Sequence, residues 1–431
     1  MARKMKDSGI EWIGEIPEGW EIRKIKNNFM IYAGATPKSE KAEYWDGGIP
    51  WITPADFKTT DKYVSYGRKS LTALGYDSCG TTLVPAGSII FSKRAPVGSV
   101  VIAKNTLCTN QGCLACIPND AVNSTYFYYC MSIFTEQFEL VSAGTTFKEI
   151  AASTFASFLL PCPPLSQQNE IVNFLDKESS RIDSMLSKTI SSIEEYKKLK
   201  QAVITQAVTK GVRGEREMKD SGVEWIGAIP KDWGRTKIKM IASFFNGDRT
   251  SRYPQPSDFV DSGVAFLTSR NIDSDEVDLS ETKYITDDKY KSLSGAKIQI
   301  DDIIFCLRGS VGKCAINRTL SCGTVASSLA TIRPKDIYPE YLLYFLLSNI
   351  ASTQTTIFMN GTCAANLSAE SVGNYYITLP ISAEQKEIAN YLDAKCAEID
   401  GLIAKKEQLV KELESYKKSL IYEVVTGKRE V

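Results

Sequence analysis

The chain repeats itself, and this duplication limits the possible folds more than any other feature of the sequence. The stretch MKDSGIEWIGEIPEGWEIRKIK at residues 5–26 recurs as MKDSGVEWIGAIPKDWGRTKIK at residues 218–239. The offset is 213 residues (218 minus 5). Two copies of this length indicate duplicated domains, because a solenoid is built from at least three shorter repeats.

Further blocks recur in the same order, so the duplication extends beyond the opening stretch. The opening and the last block are close copies, whereas the blocks between them keep mainly scaffold residues such as IIF and VG. Alike ends with unlike middles indicate one common frame that carries two different functions. The paired blocks are 88–103 with 302–317, 124–134 with 339–350, 143–150 with 360–367, and 167–186 with 384–403.

Each copy ends in the pattern of a long helix. Apolar residues recur at a spacing near 3.5 between positions 171 and 207, and again between 388 and 420, with charged residues in the gaps. This pattern is typical of a coiled-coil seam. About 40 residues at a rise of 1.5 Å each make a helix of roughly 60 Å, which cannot bury its seam alone. We therefore predict that the two helices pair with each other in antiparallel fashion.

The middles of the copies have the pattern of mixed α/β domains. Short apolar runs such as GSIIF, SVVIA and GVAFLT are bounded by Gly and Pro and predict strands. The predicted fold class is α+β, with two pseudo-symmetric mixed α/β domains separated by two long antiparallel coiled-coil helices. The predicted segments are an N-terminal segment at 1–26, a first domain at 27–163, a first helix at 164–208, a linker at 209–217, a second domain at 218–379 that opens with the repeat start at 218–239, and a second helix at 380–427.

Composition restricts the compartment and the partners only loosely. Lys plus Arg and Asp plus Glu are balanced at 51 each, so any nucleic-acid surface must be a local basic patch. The apolar run at 341–350 is far shorter than the roughly 20 residues that span a bilayer, and it predicts a buried helix. Eleven Cys without a secretion signal favour reduced thiols. We expect a cytoplasmic protein with no membrane partner.

Catalytic chemistry finds little support in the sequence. The absence of His excludes Ser–His–Asp and Cys–His sites and His-ligated zinc. Cys108, Cys113 and Cys116 have a spacing that resembles some metal ligands, but a fourth ligand is missing, and thiols packed in a core are the simpler interpretation. The GSVGKC stretch at 309–314 lacks the spacing and the Ser or Thr of a phosphate loop. No metal and no catalytic residue is predicted.

Recognition of DNA is the chemistry that the middles do support. They carry basic and amide side chains beside glycines, where Arg can bind guanine, Asn and Gln can bind adenine, and Lys and Thr can hold phosphates. Taken singly, each basic residue is most simply a solvated surface charge, and Arg94 and Arg308 could instead brace a turn. The predicted DNA-binding residues of the first domain are Thr36, Lys38, Lys58, Arg68, Lys69, Lys93, Arg94, Asn110, Gln111, Thr145, Thr146 and Lys148. Those of the second domain are Arg249, Arg252, Tyr253, Arg270, Asn271, Arg308, Lys313, Asn360 and Thr362.

The complete pattern resembles a known family. A repeated SGxEWIGxIPxxW opening, a variable domain with IIF, Arg and VG, and a helix such as PLSQQNEIVNFLD, all occurring twice, resemble the specificity subunit of type I restriction–modification systems. The resemblance covers essentially the whole chain. It implies that each variable domain is a target recognition domain that reads one half of a split double-stranded DNA sequence. It further implies that the helix pair separates the half-sites by roughly 34 Å and docks two modification (methyltransferase) subunits, joined by restriction subunits.

The same resemblance implies that the cofactors AdoMet, ATP and Mg belong to the partner subunits and that this chain is not an enzyme. Two other hypotheses stay open from the sequence. One is a stand-alone DNA-binding regulator or decoy derived from such subunits, and the other is an enzyme with an unrecognised site. Within the repeated opening, Trp12 and Trp225, with Ile13 and Ile226, are expected to anchor the start of each copy against a domain or a helix end. The alternative, stacking on bases, is less favoured because base-stacking aromatics are expected in the divergent middles.

Overall fold

A computed structural model describes residues 3–58, 61–94, 96–142, 148–272, 275–359 and 366–431. The chain forms two compact units. Unit 1 comprises Met1–Thr189 with Gln408–Val431, and unit 2 comprises Ile190–Glu407. Each unit therefore combines most of one copy of the repeat with part of a long helix from the other copy.

Unit 1 is a mixed α/β domain beside two helical segments. Its strands are β1 (Met5–Asp7), β2 (Glu15–Pro17), β3 (Glu21–Lys24), β4 (Phe29–Ala33), β5 (Trp45–Ile52), β6 (Tyr63–Val64), β7 (Lys69–Leu71), β8 (Ile89–Ser92), β9 (Val100–Ala103), β10 (Cys108–Thr109), β11 (Cys113–Pro118) and β12 (Leu159–Cys162). Its helices are α1 (Ile25–Asn28), α2 (Ala73–Asp77), α3 (Ser124–Ile133), α4 (Thr135–Leu140), α5 (Ala152–Ser157) and the first part of α6 (Leu165–Lys210).

The main sheet of unit 1 has the order β4-β11-β8-β9-β6, and a smaller sheet has the order β10-β5-β7. Pairing is antiparallel except for β6 with β9 and β10 with β5. Strands β8 and β9 are buried along their whole length, which explains their continuous apolar sequence. On one face Phe91 contacts Phe155 at 4.3 Å and Phe138 at 4.8 Å between ring centroids, which joins the sheet to α4 and α5.

Unit 2 follows the same plan. Its strands are β13 (Met218–Asp220), β14 (Ala228–Pro230), β15 (Gly234–Lys237), β16 (Ala242–Asn246), β17 (Phe259–Val260), β18 (Val264–Leu267), β19 (Lys283–Ile285), β20 (Ile303–Cys306), β21 (Cys314–Ile316), β22 (Gly323–Val325), β23 (Leu329–Pro334) and β24 (Tyr376–Leu379). Its helices are α7 (Asp287–Ser292), α8 (Pro339–Leu347), α9 (Asn349–Phe358), α10 (Ala369–Gly373) and the first part of α11 (Ser382–Val425). The sheets have the orders β16-β23-β20-β21 and β17-β19-β18-β22.

The two long helices pair in antiparallel fashion within each unit. In unit 1 the start of α6 shares a core cluster with the end of α11, and Lys417 Nζ lies 2.6 Å from Asp183 Oδ1. In unit 2 the end of α6 shares a core cluster with the start of α11, and Lys200 Nζ lies 2.8 Å from Asp400 Oδ2. The predicted pairing of the helices and the predicted α+β fold class are confirmed.

The repeated opening packs against its unit through the predicted Ile13 and Ile226, but its buried tryptophans are not the two that were predicted. Ile13 and Ile226 are buried, whereas Trp12 is 38 % exposed and Trp225 is only partly buried. The second tryptophan of each copy is the buried one, since Trp20 and Trp233 are both 1 % exposed. An indole fills a core best where its N–H finds an acceptor, and both of these rings have one at the start of a long helix.

Candidate nucleic-acid interface

The loops of unit 1 converge at one edge of the main sheet. Strand β11 runs antiparallel to both β4 and β8, with Leu114 opposite Ala33 and Cys113 opposite Ser92. The start of β11 therefore meets the ends of β4 and β8. We call this the first edge and define it by five predicted residues, Thr36, Arg68, Arg94, Asn110 and Gln111.

Direct contacts organise the turn that carries Asn110 and Gln111. The Thr36 hydroxyl donates a hydrogen bond to Gln111 Oε1, and Asn110 Oδ1 accepts one from the backbone N–H of Gly112 at 2.9 Å. A Cβ at Gly112 would lie 3.2 Å from Arg94 Nε, so the guanidinium passes close over this turn. Glycine here leaves room for that approach.

A buried carboxylate that the prediction omitted orients Arg68. The side chain of Asp56 is 4 % exposed and accepts hydrogen bonds from the Thr53 N–H at 2.8 Å and hydroxyl at 2.7 Å. It also accepts from Arg68 through the backbone N–H at 3.0 Å and Nε at 3.1 Å. Burial opposes ionisation, but these donors together hold the pKa of Asp56 below its usual range. The guanidinium of Arg68 is thereby presented outward, with its side chain 73 % exposed.

The other predicted residues of the first domain lie outside this cluster or have partners within the unit. Lys93 forms an ion pair with Glu149 at 2.8 Å, and Lys148 lies 4.0 Å from Glu139. Lys69 Nζ lies 4.8 Å from the ring centroid of Trp45. Lys38 and Lys58 are exposed. Thr145 and Thr146 lie outside the described residues.

Unit 2 has an equivalent edge. Strand β23 runs antiparallel to β16 and β20, with Ala330 opposite Asn246 and Leu329 opposite Cys306. The loops after β16 and β20 therefore meet there. We call this the second edge and define it by the exposed residues Arg249, Arg252 and Arg308.

A buried carboxylate also organises the second edge. Asp248 is 4 % exposed, and its two oxygens accept from Thr250 N–H at 2.7 Å and from Ser294 N–H at 2.8 Å. Despite its burial, these bonds and those from the two hydroxyls hold the pKa of Asp248 well below its usual range. The loop that carries Arg249 and Arg252 is thereby fixed to the unit. Arg308 Nε donates to Asn366 Oδ1 at 3.0 Å.

Of the residues predicted to bind DNA in unit 2, one is buried in the interior and another is half-buried against a neighbouring ring. Asn271 is 1 % exposed, and its Oδ1 accepts from Thr268 N–H at 2.8 Å while its Nδ2 donates to the Asp278 carbonyl at 2.8 Å. It occupies the position of Asp56, since both follow a Thr by three residues after equivalent strands, β5 and β18. The ring of Tyr253 is half-buried against Phe266, with 5.8 Å between centroids. We leave both residues out of the interface.

The remaining predictions for the second domain are placed as follows. Arg270 is exposed and lies 3.9 Å from Glu281, and Lys313 is exposed at the turn before β21. Asn360 and Thr362 lie outside the described residues. Asp56 and Asp248 were not predicted as part of the interface, because a carboxylate repels phosphate. The Thr-x-x-Asp spacing of Thr53 and Asp56 was the available signal for the first of them.

The described residues contain no His, Cys, Asp and Glu grouping suited to a metal ion. Cys108, Cys113 and Cys116 are free thiols buried in β10 and β11, and burial raises the pKa of Cys108 to about 12. The stretch at 309–314 is the turn between the paired strands β20 and β21, with Gly309 and Gly312 at positive φ, and no helix follows it directly. Both segments have structural roles here. No helix in the described part of the chain has the length and apolarity to cross a bilayer.

The chain consists of two duplicated α+β units, each with a helix pair and a distinct polar edge. This architecture places it in the class of recognition subunits that are built by duplication. The model of the type I restriction modification DNA specificity domain matches residues 17–195 and 230–412. The chain belongs to this family. The resemblance found in the sequence is confirmed, and with it the interpretation as a specificity subunit rather than an enzyme.

Similar proteins agree with this assignment. The chain is 27 % identical over 373 residues to the type I restriction enzyme MjaIX specificity subunit of Methanocaldococcus jannaschii, covering 85 % of this chain and 84 % of that protein. It is 24 % identical over 411 residues to the EcoBI specificity subunit of Escherichia coli, covering 93 % and 84 %. A solved chain described under complex assembly and conformational transition of the type I R-M system has a TM-score of 0.76 at 14 % identity, covering 96 % and 99 %. The HsdS subunit from Thermoanaerobacter tengcongensis has a TM-score of 0.52 at 15 % identity, covering 96 % and 98 %, and both structures support the fold.

Proposed function

We propose that this chain is the DNA specificity subunit of a type I restriction–modification complex. Each edge reads one half of an asymmetric bipartite target in double-stranded DNA. The helix pair holds the half-sites apart and docks two modification subunits, and restriction subunits join the complex. AdoMet, ATP and Mg act in those partners, and the complex works in the cytoplasm.

The observation that carries this proposal is the contrast between edge and frame. Equivalent contacts fasten each domain to its long helices, as with the hydrogen bonds of Tyr129 to Asp176 and of Tyr344 to Asp393. The edges, in contrast, differ in sequence, because the loop after β4 reads GATPKSE in unit 1 whereas the loop after β16 reads GDRTSRY in unit 2. Different donors and acceptors recognise different bases in the major groove, whereas a common frame binds two copies of one partner.

We assign individual contacts within this proposal by exposure. Arg68, Arg94, Asn110 and Gln111 of the first edge, and Arg249, Arg252 and Arg308 of the second, are the candidates for base contacts. Lysine and hydroxyl groups are assigned to phosphates, where they position the protein without reading sequence. These are Thr36, Lys38, Lys58, Lys69, Lys148 and Lys313, with Arg270 beside them.

A domain exchange tests the division of labour. Residues 27–160 are replaced by the equivalent segment of another family member, and the host's modified sites are mapped by methylation-sensitive sequencing. We expect one half of the modified sequence to change and the other half to stay. A change in both halves would contradict the proposal, and a chain that binds DNA but does not copurify with a modification subunit would identify a stand-alone regulator.

A further inference from the structure

Both units dock an equivalent loop residue onto their helix pair, but with opposite charge. In unit 1 the Lys62 carbonyl accepts a hydrogen bond from the Ile102 N–H at 2.8 Å. In unit 2 the Asp275 carbonyl accepts one from the Ile316 N–H at 2.9 Å. Ile102 and Ile316 occupy the same place, since each pairs with the first residue of an equivalent strand, β8 or β20. Lys62 and Asp275 are therefore structural counterparts.

Lys62 binds a carboxylate of α6. Its Nζ lies 2.5 Å from Asp176 Oδ1 and its side chain is 20 % exposed. Three tyrosine rings surround the ammonium, with Tyr129 at 4.9 Å, Tyr63 at 5.7 Å and Tyr128 at 5.9 Å from their centroids. A half-buried ammonium among aromatic faces is held more firmly than an exposed one. The contact joins the recognition domain to the helix.

Asp275 binds the opposite partner. Its Oδ2 lies 3.5 Å from Nζ of Lys200 on α6, whose side chain is 18 % exposed and which also pairs with Asp400 of α11 at 2.8 Å. Here too the contact joins the recognition domain to the helix pair.

The helix pair carries both kinds of partner, an aspartate and a lysine, in each unit. Asp176 and Asp393 are 217 residues apart, and each accepts a tyrosine hydroxyl, from Tyr129 at 2.6 Å and from Tyr344 at 2.7 Å. Lys200 and Lys417 are also 217 apart, and they pair with Asp400 and Asp183, which again differ by 217. Each unit therefore presents an aspartate and a lysine to the docking loop, and the two recognition domains use different ones.

We propose that Lys62 and Asp275 are positioning residues that set the orientation of each edge on its helix pair, and that the frame accepts a docking residue of either charge. The proposal rests on the function proposed above, because orientation of an edge matters only where it must meet a half-site at a set spacing. The expected partner of a basic docking residue is Asp176 or Asp393. The expected partner of an acidic docking residue is Lys417 or Lys200.

The test measures spacer selectivity of the complete complex with its modification subunits. Methylation rates are compared on the cognate duplex and on duplexes whose spacer is one base pair longer or shorter. We expect Lys62→Met to lower the ratio of cognate to altered rates by about fivefold or more, the size of a lost ion pair with its ring contacts. Asp275→Asn should lower it in the same direction. Lys104→Met, at an exposed lysine directly after β9 of the same domain, should leave the ratio unchanged.

Charge reversal tests the second part of the proposal. Lys62→Asp should retain most of the selectivity by pairing with Lys417. Lys62→Asp combined with Lys417→Met should lose the selectivity, whereas Lys417→Met alone should retain it. Wild-type selectivity in both Lys62→Met and Asp275→Asn would overturn the positioning role. Equal losses in Lys62→Asp and Lys62→Met would overturn the acceptance of either charge. A wild-type complex without any spacer preference would instead refute the proposed function.

Discussion

At the scale of single residues, the polar groups that build an edge differ from those that face outward. Asp56 and Asn271 occupy equivalent positions and accept the same bonds from Thr53 and Thr268. One is charged and the other neutral, yet both close a turn beside the edge. A residue type suited to DNA is therefore insufficient evidence of contact, because burial decides whether its atoms can reach a base.

Arg94 and Arg308 provide the residue-scale prediction. Each guanidinium lies at the end of an equivalent buried strand, so its loss removes donors from the edge without opening a core cavity. We expect Arg94→Ala and Arg308→Ala each to weaken DNA binding by ~1–3 kcal/mol if they contact base edges. Fluorescence anisotropy with the cognate duplex at fixed salt measures the effect.

Controls for this prediction come from the opposite end of each domain. Arg23 lies on β3 and Arg235 on β15, before the strands β4 and β16 whose far ends form the edges. Arg23→Ala and Arg235→Ala should bind DNA like the wild type. Wild-type affinity in the Arg94 and Arg308 variants would mean that these residues brace their turns.

At the scale of elements, the repeated opening is fastened to a long helix in both units by the same three-part contact. Trp20 Nε1 donates to Gln167 Oε1 at 2.7 Å, and Trp233 Nε1 donates to Glu384 Oε2 at 3.0 Å. An arginine covers each ring, Arg3 in unit 1 and Arg216 in unit 2. The acceptor is neutral in the first copy and a fully buried carboxylate in the second.

This difference predicts unequal costs of the same truncation. Gln167→Ala removes the acceptor of the Trp20 indole N–H and of the Arg3 guanidinium, which donates to the same oxygen at 2.9 Å, and should lower the free energy of unfolding by ~1–3 kcal/mol. Glu384→Ala also leaves Arg216 without its buried partner and should cost ~3–5 kcal/mol. Urea denaturation followed by tryptophan fluorescence measures both.

The matched control is Glu387→Ala, which removes only a half-exposed ion pair with Arg213 and should destabilise the protein less than either variant. Equal destabilisation by Gln167→Ala and Glu384→Ala would show that the buried charge adds nothing to this contact.

At the scale of the whole molecule, each unit is completed by the end of a helix from the other copy. The Tyr126 hydroxyl donates to the Val425 carbonyl at 3.0 Å in unit 1, and that of Tyr341 donates to the Val208 carbonyl at 3.3 Å in unit 2. The last residues of the chain thus have the structural role of the segment at the end of α6.

The continuous helices predict how the target responds to their length. Seven residues inserted after Lys188, with a matching seven after Glu407, add two helical turns, or ~10 Å, to each helix. Since a base pair rises ~3.4 Å, we expect the gap between the half-sites to lengthen by about three base pairs. Methylation-sensitive sequencing of the host measures the gap, and an unaltered gap would mean that the helices do not set it.

Much of this architecture could be predicted from the order of residues. The duplication, the antiparallel helices and the α+β middles all follow from periodicities of 3.5 and 2 residues and from matched blocks, because these patterns are local and survive without knowledge of contacts. The importance of the repeated tryptophans was also visible. Which of them is buried was not, since Trp12 has the apolar neighbours Ile10 and Ile13 along the chain and is nevertheless the more exposed of the two.

Which residues meet at each edge could not be predicted from the sequence, because it depends on pairing between distant strands. Thr36 and Gln111 are 75 residues apart and meet because β11 lies between β4 and β8. The structural roles of Asp56 and Asn271, and the opposite charges of Lys62 and Asp275 at one equivalent place, likewise appear only when strands and helices are assembled. Sequence periodicity specifies which face of an element is apolar. The partner of a polar side chain is set instead by packing between distant segments, and this packing decides whether the side chain is a buried brace or an exposed contact.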